Sequence, residues 1–498
     1  MFSFPIRTFD TPFQIAIAIL LGLCLGLIAL WIPATWVFIL MMIIPIALIS
    51  IRYPELSILA VIIILCTIIP EDQVPRINII RNFYISDILV ILLAVFIIYR
   101  WLIDPSTKLI FTPLDLPLLL FVFWAIGMTM YQLIYGGVKD EIAISEMRIV
   151  SYYLTFYLTT NLIRNSEALA RIVKGFLWIA TVVALLMIIQ FALGPNIRIL
   201  PGRVEQLITD GRVYNQITRV MDTTGEGLIT VAFIVQTTLL FIQKVKITHF
   251  VRLFQWAILG VGVIITFSRS HWILTLFSLF MLLFFIEAKI RWRIIQWFLV
   301  LFFLSPIVLL PVLAAPDSAP ARLVNASIER FFSVANFENY VSGGGSTLRW
   351  RDFEYVYGIP QIIKHPVTGL GLGARYREPI YDVDAKEKGL LYYLHNSHLW
   401  IAIKTGLVGY LFFISFIFLA IWRGFKLYKD VDDLYFRGAV LGFTLAVFSA
   451  VWVGFIHAVF MSLFWTPLLG LIIGINESIF RIKIPTPNPP SFPTSTNR

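Results

Sequence analysis

Apolar windows long enough to cross a bilayer recur along this chain, and their spacing predicts about fourteen helices. They run over 13–32, 35–51, 56–69, 87–103, 114–135, 148–163, 174–193, 226–243, 250–267, 271–287, 294–314, 398–421, 437–453 and 457–477. The third window is short, and the joints at Pro33 and near His457 are tight, so re-entrant segments compete there and the range is twelve to fourteen. The pattern predicts an all-α polytopic membrane protein. Two stretches are too long for simple turns, 194–225 and 315–397. In the second, LRWRDFEYVYGIPQIIKHP (348–366) spaces Trp350, Phe353, Val356 and Tyr357 near helical intervals. That spacing predicts a short amphipathic helix, ended or kinked by Gly358 and Pro360. Gly369, Gly371 and Gly373 follow it and suit tight turns.

Composition supports the same class. Of 498 residues, 59% are hydrophobic and 14% charged, and the mean hydropathy of +0.86 leaves no soluble domain of ordinary size. The window 13–32, behind Arg7, is too long for a signal-peptide core and reads as an uncleaved first helix. The net charge of +10 fits cytoplasmic loops rather than nucleic acid, since no basic run carries interleaved aromatics. With the N-terminus inside, the cytoplasmic loops hold nineteen Lys and Arg and the short outer loops five. That asymmetry predicts both termini in the cytoplasm and both long segments outside.

The plan is therefore eleven helices over 1–314 with an outer loop at 194–225, and an extracytoplasmic helical cap over 315–397 between the eleventh and twelfth spans. Three more helices fill 398–480, and a disordered tail over 481–498 is rich in Pro, Ser and Thr. Cys24 and Cys66 lie in apolar runs, which excludes a disulfide framework or thiolate site. No His or Cys cluster has metal spacing, and no cofactor motif precedes a helix. Asp382-Val-Asp384, beside Lys386, Glu387 and Lys388, reads as a solvated loop rather than a metal pair.

On the outer side, where basic residues are sparse, Arg212, Arg219, Arg269, Arg349 and Arg351 are candidate anion ligands. Arg269, in TFSRSHW between two helices, stands at a membrane edge where an unpartnered charge costs about 2.5 kcal/mol or more. Guanidinium forks suit phosphate oxygens, and several together suit a diphosphate. Snorkelling to lipid head groups is the plainer alternative for each. His395 stands at the outer end of the helix near 398, on the same side. A neutral imidazole there can accept a hydroxyl proton, although helix capping is the commoner role for such a histidine.

The combination resembles the bacterial O-antigen ligase and O-antigen polymerase family. His395-Asn396, nine residues, Gly406, two residues, Gly409 is similar to its signature. SRSHW (268–272) resembles its Ser-Arg-small motif, and the stretch from Arg349 to HPVTGLGLG its Arg, aromatic, His-Pro-x-x-Gly-x-Gly segment. The resemblance covers about 219–410. It implies a metal-independent, inverting glycosyl transfer outside the cytoplasmic (inner) membrane, from a polyprenyl-diphosphate-linked glycan to an acceptor hydroxyl. His395 is then the expected base or acceptor-orienting group, and Arg219, Arg269 and Arg349 the diphosphate ligands. Asn396, Gly406 and Gly409 support the motif, the two glycines by letting the helix approach a neighbour closely.

The chain departs from the family in two places. VMDTTGEGL follows Arg219, where many members have Gly and an Asn-rich turn. Lys404 replaces a commonly acidic residue and is expected to snorkel outward, while His398 is expected to be structural or acceptor-contacting. Three readings stand: a polysaccharide polymerase joining lipid-linked glycans, which the long cap favours; a ligase acting on a lipid A core; and a transporter of a small anion or solute. The transporter lacks support from any internal repeat.

Overall fold

The computed structural model describes residues 53–66, 84–103, 108–136, 138–200, 203–209, 212–221, 225–243, 249–315, 318–332, 347–379 and 391–482. The helices expected at 13–32 and 35–51, Cys24, the Asp382–Asp384 loop and the tail from 483 lie outside them. Residues 1–57 and 58–498 form two units.

Fifteen α-helices occur among the described residues: α1 Pro54–Cys66, α2 Ile85–Ile103, α3 Asp115–Tyr135, α4 Asp140–Ser151, α5 Thr155–Leu162, α6 Ser166–Leu193, α7 Glu226–Ile242, α8 Phe250–Ile265, α9 Arg269–Leu282, α10 Ala288–Leu313, α11 Ala319–Phe332, α12 Thr347–Lys364, α13 Ser397–Leu427, α14 Leu434–Val453 and α15 Trp465–Arg481. Four of them, α3, α6, α13 with its 3-10 extension and α14, are long and apolar enough to cross a membrane. The protein is an all-α polytopic membrane protein. To this it adds one element that went unread in the sequence, an antiparallel hairpin of β1 Arg203–Thr209 and β2 Arg212–Met221.

α7 is buried on nearly all sides, so it is the central helix. α14 lies against it through Gly438-x-x-x-Gly442: a Cβ at Gly442 would come within 2.7 Å of the Val235 backbone, so only glycine lets these helices approach so closely. α15 repeats the device with Gly470 and Gly474 against Thr155, Phe156 and Thr159 of α5. A layer of aromatic rings, Phe121, Tyr153, Phe413 and Phe460, joins α3, α13 and the α14–α15 connection.

Four local expectations are corrected. The window at 148–163 is split by a 3-10 turn at Tyr152–Leu154 into α4 and α5. Residues 457–464 are not helical, because the chain there dips inward on a short 3-10 turn before α15 begins. α12 does not end at Gly358 or Pro360 but continues to Lys364: Gly358 is buried against Leu399 and Ile403 of α13, and that packing offsets the local cost of the two residues. α13 is broken at Gly406, whose φ of 70° and ψ of 176° leave the helical region.

Candidate functional site

His395 is the second residue before α13. Asn396 caps that helix, its Oδ1 accepting from the Leu399 amide at 3.0 Å while its Nδ2 donates to the Tyr355 hydroxyl of α12 at 2.6 Å. The His-Asn pair therefore fixes the start of one helix against the face of another. Beside it, the Glu354 carboxylate of α12, 3% exposed, accepts from the His395 amide at 2.9 Å and lies 2.6 Å from Nδ1. An ionised carboxylate there holds the proton on Nδ1 and leaves Nε2 as the basic nitrogen. Nε2 has no protein partner among the described residues, and the side chain is 26% exposed, so it is accessible to a substrate.

Glu354 was missed in the sequence reading. It lies within the family segment but 41 residues from its partner, and a lone acid in a charged amphipathic stretch carries no signal of its own. It shares α12 with Arg351, one turn earlier, which donates to the Ile456 carbonyl at 2.8 Å. Arg349 stands in the first turn of the same helix, five residues before Glu354.

The other predicted arginines come from neighbouring elements. Arg269 is the first residue of α9, after a three-residue turn in which Phe267 adopts a left-handed φ of 48°. A bulky residue rarely adopts that conformation, and burial holds it here. Its ring packs with Leu207 and Ile217 of the hairpin and Ala326 of α11, and its carbonyl accepts from Arg330. The hairpin thus packs beside the turn that presents Arg269, and β2 carries Arg219, paired in register with Glu205. Arg212 opens β2.

The connection between α14 and α15 joins these parts. Ser397 donates to the His457 carbonyl at 2.7 Å, and the His457 ring lies 5.5 Å from that of His271 on α9. His271 in turn lies 3.4 Å from Glu226 of α7 and stacks on Trp465 of α15. The N-termini of α7, α9, α13 and α15 consequently meet at one end of the bundle, each carrying a partial positive charge of about half a unit. Ser268 contacts His271 at Nδ1, the same nitrogen that faces Glu226, so these three do not form a nucleophile-base-acid relay.

Enclosure within the protein, with the charges of His395 and Arg351 nearby, pushes the His457 imidazole down to about 4. The fold keeps it neutral to about that pH, whereas an unfolded chain takes up a proton near the ordinary value of 6.5. The unfolded state binds more protons across that window, so His457 lowers stability as pH falls through it. Thermal denaturation of the purified protein between pH 6.5 and 4 should show that fall, and His457→Gln should flatten it; an unchanged slope would remove the assignment.

Lys404 does not snorkel. It is 0% exposed, lies 3.0 Å from Glu146 of α4, and donates to the Ala374 carbonyl at 2.6 Å. Glu146 also accepts from the Gly373 amide at 2.6 Å. A partner 258 residues away and the loop folded over α13 make burial cheaper than reaching the surface. Removing one member strands a buried charge, so Lys404→Met or Glu146→Gln should destabilise by about 3 kcal/mol or more. Lys404→Met combined with Glu146→Leu should recover most of that loss in thermal denaturation; additive losses would argue against the pairing. His398 is structural in character: it contacts the Val451 carbonyl at 2.8 Å and Tyr410 at 3.1 Å, and stacks on Phe455.

No curated protein matches the chain. Residues 256–414, which carry Arg269, Arg349, Glu354, His395, Gly406 and Gly409 but not Arg219, match the family model described as O-Antigen ligase. With the His-Asn motif on a many-helix membrane bundle, that match supports a likeness of this part of the chain to the O-antigen ligase and polymerase family, membrane proteins of polysaccharide assembly.

Proposed function

We propose that the protein is a glycosyltransferase of cell-surface polysaccharide assembly that acts at the outer face of the bacterial inner membrane. It transfers a polyprenyl-diphosphate-linked glycan to the hydroxyl of a second lipid-linked glycan, as a polymerase. The observation that carries this reading is the His395–Glu354 pair, with Nδ1 held at 2.6 Å and Nε2 accessible.

In the step proposed, an acceptor hydroxyl donates its proton to Nε2 of His395 as its oxygen attacks the anomeric carbon of the donor. The bond from that carbon to the diphosphate oxygen breaks, and polyprenyl diphosphate leaves with the electron pair. Attack opposite the leaving group inverts the anomeric centre. Glu354 balances the positive charge the imidazole gains, and Arg219, Arg269 and Arg349 offset the charge developing on the diphosphate, so the reaction needs no metal ion. The convergent helix N-termini add to that positive field.

The test is to incubate purified protein with polyprenyl-diphosphate glycan and measure chain length together with free polyprenyl diphosphate. Longer glycan is the expected product. Transfer only when a lipid A core acceptor is added would replace the polymerase by a ligase. Neither product, with protein-dependent anion uptake into liposomes, would overturn the transferase reading.

A further inference from the structure

At the end of the bundle opposite His395, a cavity of about 430 Å³ opens where the third and fourth turns of α6 and the first turns of α8 and α14 meet the last turns of α7. α8 runs from Phe250 at this cavity to Ile265 beside the Arg269 turn, and its 16 residues span roughly 24 Å. Lys174, His249 and Arg252 line the cavity with Gln255 and Tyr435, and no carboxylate is among its lining residues. The guanidinium of Arg252 bonds Gln243, a neutral partner. The Tyr435 hydroxyl is buried with no partner among the described residues. The adjoining acid, Asp433, directs its carboxylate to the Tyr435 and Phe436 amides as the N-cap of α14.

Two cations with no carboxylate beside them and an unpartnered hydroxyl therefore converge on one half-open space. Its rim is apolar and faces outward, since Trp178 and Phe250 are 49% and 74% exposed. A cationic recess bordered by exposed apolar side chains at the end of a membrane bundle matches a phosphate attached to acyl chains. We propose that this cavity binds the phosphate of an anionic phospholipid, with Lys174 and Arg252 as its cationic contacts, His249 and Tyr435 as further donors, and an acyl chain along Trp178 and Phe250. A free phosphate shares the head-group chemistry but has no use for the apolar rim, and that difference separates the two.

The purified full-length protein, stripped of lipid, is titrated with phosphatidylglycerol, phosphatidylcholine or sodium phosphate. Bound lipid is read by native mass spectrometry, and stability by thermal denaturation. Phosphatidylglycerol alone should bind and raise Tm. Lys174→Gln with Arg252→Gln should weaken that binding at least about tenfold. Tyr435→Phe, a change that removes one oxygen and spares the packing, should weaken it less and provides the readout if the double variant does not fold. Equal shifts with phosphatidylcholine, or undiminished phosphatidylglycerol binding in the variants, would overturn the site. An equal shift with sodium phosphate would overturn the lipid as occupant.

Discussion

Replacing His395 with alanine is expected to lower glycan transfer by about 10²- to 10⁴-fold, the range over which a positioned general base contributes, and to leave the protein folded. The fold should survive because Asn396, not His395, caps α13, and because the backbone amide that donates to Glu354 remains after truncation. Glu354→Gln sharpens the test. The amide keeps the shape and can still accept from Nδ1, but it cannot balance an imidazolium, so transfer should fall by an intermediate factor. The comparison is made by initial rates on lipid-linked donor, with thermal denaturation alongside. Full activity in His395→Ala would end the base assignment. Loss of activity accompanied by an equal loss of stability would mean that His395 serves the α12–α13 contact instead.

Gly406→Ala should have a large effect on the fold for the addition of a single methyl group. At φ 70° and ψ 176°, Gly406 occupies a region open essentially to glycine alone, where another residue costs roughly 1–3 kcal/mol. The added Cβ would also collide with the Val367 carbonyl. That carbonyl belongs to the 366–371 loop, which hydrogen-bonds across the break: Leu370 donates to Ile403 at 2.9 Å, Gly371 to Lys404 at 2.9 Å, and Leu407 to Pro366 at 2.7 Å. Moving the loop weakens these bonds, at about 1 kcal/mol each, and disturbs the loop between α12 and the Lys404–Glu146 pair. A clear fall in Tm with loss of transfer is expected. Gly127→Ala is the control: it lies inside α3 with nothing within 4 Å of an added Cβ and should be neutral or slightly stabilising. Equal behaviour of the two variants would contradict the account of the break.

The sequence reading anticipated Gly406 only as a point of close approach between helices. The close approach is real, but it is made by loop backbone at a broken helix, and Gly409 is the position that meets a neighbouring helix, through Trp124 of α3. The hairpin was legible and overlooked: VEQLIT and RVYNQITRV, rich in residues that favour strands, flank Asp210-Gly211, a strong short-range turn signal. A stretch treated as a loop because it broke the apolar rhythm is instead the support for the Arg269 turn.

What the sequence by itself determined is what depends on neighbours along the chain. Apolar windows specified helices and the membrane class, and the His-Asn pair with its spaced glycines marked one end of α13, because helix formation, capping and glycine turns are local. Tertiary structure decided which distant residues meet. Glu354 reaches His395 across 41 residues, Glu146 reaches Lys404 across 258, and His271 meets His457 only because α9 and the α14–α15 connection end at the same level. A buried charge or imidazole takes whatever partner the packing of separate helices brings within about 3 Å, and no periodicity along the chain encodes that distance.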